Sequence, residues 1–298
     1  MSKNRRLAYL ALLYNALIWG AAFPIIKPVF EFLTPLQYLY FRYLVAGVVS
    51  FPIFIAFYIK KHPKVSKMVK PVLLELAGLA LPIIILYEGL SRTSALEASL
   101  IGSTGPIFVV IGGILFLRER ETHREWQGLT LSLLGSLILI LEPLWNGHNF
   151  IGSDLSGNLL ILLFNILWTI YAIVAKGYYR TKPPLSLVSL TYLGTAGIYA
   201  CILATQNQLP QLEIVNWNLK IIFPILYMAI PGGIIANIFY LYAVSKIEVS
   251  EANLFSYLNG VVTIPVAYFL LGEKPTYLAI LAILLISWGV YNSETRTK

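Results

Sequence analysis

The chain is 298 residues long, 58% hydrophobic and only 12% charged, with a formal net charge of +8. An average soluble domain carries roughly 25% charged residues, so a globule of this size could not cover its surface with so few. The composition excludes a disordered chain, argues against an ordinary soluble enzyme, and leaves a polytopic membrane protein.

A hydrocarbon core about 30 Å thick needs about 20 apolar residues at 1.5 Å of helix rise each. Ten stretches meet that need. The first five are Leu7–Ile26, Leu36–Ile59, Val72–Leu90, Leu96–Leu117 and Trp126–Leu144. The second five are Leu155–Ala175, Leu185–Leu203, Ile221–Val244, Ala252–Leu271 and Tyr277–Tyr291. Alternating the connections across the membrane puts 17 of the 22 Lys and Arg on the side of the N-terminus. Only Lys27, Arg92, Lys220 and Lys274 fall on the other side, and Arg42 lies within the second span. Positive charge collects in cytoplasmic loops, so both termini are expected in the cytoplasm of a cell that carries the protein in its plasma membrane. This bias accounts for the basic charge, and no nucleic-acid partner is expected. One Cys leaves no disulfide partner, and three His in loops leave few ligands for a metal, so no cofactor is expected.

The halves of the chain repeat. A shift of 154 residues aligns Ser91 to Leu137 with the second half without a gap, pairing Glu97 with Glu251, Glu119 with Glu273 and Gly135 with Gly289. A shift of 150 pairs Asn15 with Asn165 and Ala22 with Ala172. The expected fold is an all-α integral membrane protein of ten transmembrane helices, built from five-helix repeats over 1–145 and 155–292. Five is odd, so the second copy enters from the opposite side: an inverted-topology repeat, common among secondary transporters, with the solute site near the midplane between repeats.

"EASLIGSTGPIFVVIGGILFLRERETHREWQG" and "EANLFSYLNGVVTIPVAYFLLGEKPTYLAILAILLISWGV" resemble the later spans of an EamA repeat. "NALIWGAAFPIIKPV" followed by "YFRYLVAG" is similar to its first two. EamA proteins belong to the drug/metabolite transporter superfamily. The resemblance spans both halves and implies ten helices in a basket around a central cavity, and export of small metabolites such as amino acids.

Polar groups within the spans are costly unless satisfied, which makes them site candidates. Arg42 and Glu88 lie at comparable depth, so an Arg42–Glu88 ion pair is possible; alternatively Arg42 snorkels and Glu88 is interfacial. The resemblance matches Arg42 to a frequent second-span Arg and implies a structural role. Glu88, if it faces a cavity, could carry a proton or meet a substrate ammonium. Asn15 with Trp19, and Asn165 with Trp168, place an amide and an indole together on a helix, either to hold an amphipathic solute or to join helices. Asn237, Tyr240, Tyr257 and Asn259 form a similar group, with Tyr87 and Ser103 as weaker members. Pro82, Gly105-Pro106, Pro231 and Pro265 interrupt central spans, as in transporter sites, although a lone Pro more often gives a kink. Glu119 and Glu273 read as structural charges at span ends.

Gly102-Ser103-Thr104-Gly105 does not match G-x-S-x-G, and no phosphate-binding loop is present, so an enzyme is not expected. The sequence therefore points to a secondary transporter, as a monomer or homodimer, with a small-molecule solute and the bilayer as partners. The alternatives are an intramembrane enzyme or lipid-binding scaffold without solute flux, and a passive channel.

Overall fold

The computed structural model describes residues 3–61, 65–102, 105, 108, 112, 115–116, 123–146, 155–179, 187–210, 217–247, 252, 255–274 and 276–294. Helix α1 spans Lys3–Ile26 and tightens into a 3-10 turn over Lys27–Glu31. There follow α2 (Pro35–Lys61), α3 (Val65–Arg92), α4 (Ala95–Gly102) and α5 (His123–Asn146). The later helices are α6 (Leu155–Tyr179), α7 (Val188–Thr205), α8 (Leu219–Ala229), α9 (Ala236–Val244), α10 (Tyr257–Leu271) and α11 (Tyr277–Glu294). Among the described residues there is no strand.

Among the described residues, six helical runs are long and apolar enough to cross a membrane: Asn4–Glu31, Pro35–Lys60, Met68–Arg92, Ser156–Ala175, Val188–Thr205 and Leu219–Val244. They match the expected first, second, third, sixth, seventh and eighth spans. The expected fifth, ninth and tenth spans fall on α5, α10 and α11. The fourth lies partly outside the described residues. Large apolar side chains face outward, among them Leu10, Leu13 and Leu17 on α1 and Phe269 on α10. In water such a surface would be an aggregation liability; against lipid tails it is the stable arrangement.

The principal helix pairs are α1 with α9 and α10, α2 with α7, α3 with α6, and α5 with α11. With no hydrophobic drive between helices in lipid, small residues set how closely they meet. Gly89 and Gly157 face each other across α3 and α6, where a Cβ on Gly89 would lie 2.8 Å from the Gly157 carbonyl oxygen.

Several of the connections assigned outward by the charge count meet at one end of the bundle. Lys27 Nζ donates to the carbonyls of Leu90, Ser91 and Thr93 at 2.8, 3.1 and 2.6 Å, which satisfies the open end of α3. Ser94 caps α4 by accepting from the Glu97 N–H at 3.0 Å, and the Glu97 carboxylate accepts a hydrogen bond from the Thr93 hydroxyl. From the second half, Glu273 accepts the Leu96 N–H at 3.1 Å. Glu273 therefore ties the end of α10 to the start of α4. Glu119 lies outside the described residues.

Between α8 and α9 the helix widens to a π-turn over Ile230–Ile235 (IPGGII). Pro231 has no N–H to give to the ladder, which interrupts it one turn earlier. Helix α1 donates to carbonyls just beyond the proline. Trp19 Nε1 donates to the Gly232 carbonyl at 2.8 Å and Asn15 Nδ2 to the Ala236 carbonyl at 3.0 Å.

Candidate functional site

A cavity of about 180 Å³ lies among α1, α2, α3, α4, α6, α7, α8, the π-turn with α9, and α10. One part of its wall is an aromatic row. Trp19, Tyr240 and Trp168 come from α1, α9 and α6, with ring centroids 6.1 Å and 6.0 Å apart in succession. Tyr171 continues the row, 5.2 Å from Trp168.

Another part of the wall is a tyrosine nest around Arg42. Its Nη1 donates to the Tyr87 hydroxyl at 2.6 Å and its Nε to the Met228 carbonyl at 3.2 Å. The guanidinium lies 5.0 Å from the centroid of Tyr43 and 5.5 Å from that of Tyr87, within cation–π range. Tyr38 stacks on Tyr87 at 5.5 Å and Tyr192 meets Tyr43 edge-on at 5.5 Å. Polar amides complete the lining. Asn165 Nδ2 donates to the Ile101 carbonyl at 2.8 Å. The side-chain oxygen of Asn259 is buried and has no hydrogen-bond partner among the described residues. Ser99 donates to Thr263 at 2.8 Å, and Thr263 donates to the Gly20 carbonyl at 2.6 Å, joining α4, α10 and α1.

Of the residues named from sequence, Trp19, Tyr87, Gly105, Asn165, Trp168, Asn237, Tyr240 and Asn259 line this cavity. Others do not. Asn15 is buried behind the wall, joining α1 to α9 through Ala236, the helix-joining alternative of the two open for it. Glu88 is turned away from the cavity and sits 3.6 Å from Arg92, one turn further along α3. The Arg42–Glu88 pair therefore does not form, because Tyr87 and the Met228 carbonyl hold the guanidinium inside the bundle. Arg42 does not snorkel either; it is buried and lines the cavity. Pro82 is buried but not part of the lining, and Pro265 faces outward on α10. Pro231 sits in the π-turn, whose Gly232 and Gly233 do line the cavity. Ser103 and Pro106 lie outside the described residues, as does the Tyr257 side chain.

Sequence reasoning passed over Tyr43, Tyr192 and, above all, Glu75. Glu75 is only 2% exposed, and the Tyr171 hydroxyl is 3.0 Å from each of its carboxylate oxygens. The available signal was an acid within the third span. It reads as interfacial from an expected start at Val72, but α3 begins at Val65, which puts Glu75 about 15 Å along the helix.

The EamA-like transporter family profile matches residues 6–141 and 155–293, nearly the whole chain. The chain belongs to this family. It is 28% identical to the uncharacterized transporter YdfC of Bacillus subtilis, over 92% of this chain and 86% of that protein. An uncharacterized transporter of Archaeoglobus fulgidus is 23% identical over 95% of this chain and 96% of its own. The uncharacterized inner membrane transporter YedA of Escherichia coli is 26% identical over 92% and 89%. One solved crystal structure shares the fold with a TM-score of 0.74 at 17% identity, covering 96% of each chain.

Proposed function

We propose that the protein is a secondary transporter that moves a small amphipathic metabolite, in the outward direction, by alternating access between two inverted five-helix halves. The observation that carries this reading is the cavity itself. It is framed by aromatic rings and amides from both halves, beside a π-turn that breaks a spanning helix. Interrupted helices beside a midplane cavity are where transporters of this architecture bind solutes.

The helix pairing supports the two-halves reading. Exchanging the halves turns the α3–α6 pair into the pair of α1 with the α8–α9 run, turns α4–α6 into α1–α10, and leaves α2–α7 and α5–α11 as themselves, and all of these pairs pack together. Two halves that can exchange conformations give an inward-open and an outward-open state of similar energy. The E. coli relative's inner-membrane name and the Lys and Arg bias support a plasma-membrane protein with both termini cytoplasmic. Amino acids as cargo and export as direction follow from the family resemblance. A monomer is sufficient, since one chain supplies the whole described lining of the cavity.

Counterflow in proteoliposomes tests the proposal. Vesicles preloaded with a pool of amino acids, nucleosides and organic cations should show saturable exchange of one solute class, weakened by Trp168→Ala. Flux without saturation or counterflow would make the protein a channel, and no exchange by folded protein would reject transport of those solutes. Single-cysteine labelling in a Cys201→Ser background, at positions 64 and 208, should place the two loops on opposite sides of the membrane.

A further inference from the structure

We propose that Arg42 is the anchor for a carboxylate on the transported solute, with the Trp19–Tyr240–Trp168 row taking the solute's apolar body. The inference rests on the transport reading above and adds the chemistry of the cargo.

Arg42 is 7% exposed and lines the cavity. A guanidinium does not shed its proton inside a protein, so its charge persists wherever it is buried. A buried cation normally faces an anion, because taking a charge out of water is costly without one. Among the described residues Arg42 has none. Both of its hydrogen-bond acceptors, the Met228 carbonyl and the Tyr87 hydroxyl, are neutral. The two acids of α3 are engaged elsewhere, Glu88 beside Arg92 and Glu75 with the Tyr171 hydroxyl. Only Nε and one Nη1 proton are used, so Nη2 keeps its donors free of any described protein acceptor. Cation–π contacts with Tyr43 and Tyr87 steady the guanidinium without neutralising it.

Every other described lining residue is uncharged, among them Asn165, Asn237, Asn259 and Ser99. The cavity therefore carries a single positive charge and open planar donors, the complement of one carboxylate. A phosphate dianion would leave a charge uncompensated in a small, largely apolar space, and a cationic solute would be repelled. The same residue type placed at the membrane surface would have no such demand, since water would satisfy it.

The test compares three probes of one shape on the full chain in proteoliposomes: L-phenylalanine, 3-phenylpropanoate (no ammonium) and L-phenylalaninamide (no carboxylate). Trp19 and Trp168 fluorescence reports binding, and counterflow of the same probes reports transport. Both carboxylates should bind, with the amide at least tenfold weaker. Arg42→Gln should erase that gap and Arg42→Lys should keep part of it. The comparison on the parent protein stands even where a variant fails to fold. Equal or tighter binding of the amide, or a gap that survives in folded Arg42→Gln, overturns the anchor. Counterflow of the amide as fast as the acid leaves the transporter and removes the anchor. Arg42-dependent carboxylate binding without counterflow leaves the anchor and removes the transporter. Neither binding nor exchange of any probe by folded parent protein overturns the proposal.

Discussion

The Tyr171 ring occupies the space that a Cβ on Gly78 would need: Tyr171 Cδ2 would lie 2.0 Å from it. This close approach of α6 to α3 is what brings the Tyr171 hydroxyl onto both oxygens of Glu75. Gly78→Ala should force the ring outward and destabilise the protein by about 1–3 kcal/mol, the usual range for overpacking. Tyr171→Phe keeps the ring and removes only the donor. It should cost about 1–3 kcal/mol through the buried carboxylate it leaves less satisfied. Thermal unfolding in detergent measures both, and an unchanged midpoint for Gly78→Ala would mean that the helices do not meet this closely.

Tyr87→Phe removes the hydroxyl that Arg42 Nη1 contacts at 2.6 Å. The ring stays for the cation–π and stacking contacts, so the loss is that of one hydrogen bond to a charged group, about 1.5–3 kcal/mol. The two residues form a unit. Combining Tyr87→Phe with Arg42→Gln should therefore cost less than the separate losses added together, by about 0.5–3 kcal/mol. Additive losses in a double-mutant cycle would show that the contact carries no energy.

Trp19→Phe keeps an aromatic ring in the row but loses the indole N–H that holds the Gly232 carbonyl at 2.8 Å. The π-turn then loses one of its donors from α1, a loss of about 1 kcal/mol in stability. Hydrogen exchange should rise locally over Ile230–Ile235 before it rises elsewhere, because the turn's own ladder is already interrupted at Pro231. Uniformly raised exchange would place Trp19 in general packing.

Much of this fold was legible in the sequence because a bilayer leaves few choices. Apolar runs of about 20 residues mark the spans, and Ile221–Val244 was readable as one span with Pro231-Gly232-Gly233 at its break, where the structure has the run Leu219–Val244. Polar and aromatic groups within the spans were legible as candidates, though not which of two uses each would have. Trp19, Asn165, Trp168 and Tyr240 line the cavity. Glu75 and Glu88 show where such reading stops. Both are acids in the third span, and depth along an apolar run says nothing of direction around the helix. Packing of α6 on α3 buries Glu75, while Glu88 turns toward Arg92 at the exposed end. Nor could the run of residues around Arg42 disclose that three tyrosines from α2 and α3 gather beside it, since Tyr87 arrives from 45 residues away.

Glu273 gives the last prediction, one in pH. It follows the end of α10, half-buried against the start of α4. Burial raises its pKa above the ordinary 4.5, and the N–H groups of Leu96 and Ala95 and the charge of Lys27 offset that only in part. The folded state therefore holds the proton more tightly than the unfolded chain does. The stabilisation from this group is complete below about pH 4.5, and is lost as pH rises through the higher folded value. Glu273→Gln mimics the protonated acid and still offers an oxygen to the Leu96 N–H. Its unfolding midpoint should match the parent's at pH 4 and exceed it at pH 7, with the two curves parting just above pH 4.5. A parent that instead gains stability on the variant as pH rises would mean that the attraction of Lys27 and the helix N-terminus outweighs burial, reversing the sign argued here.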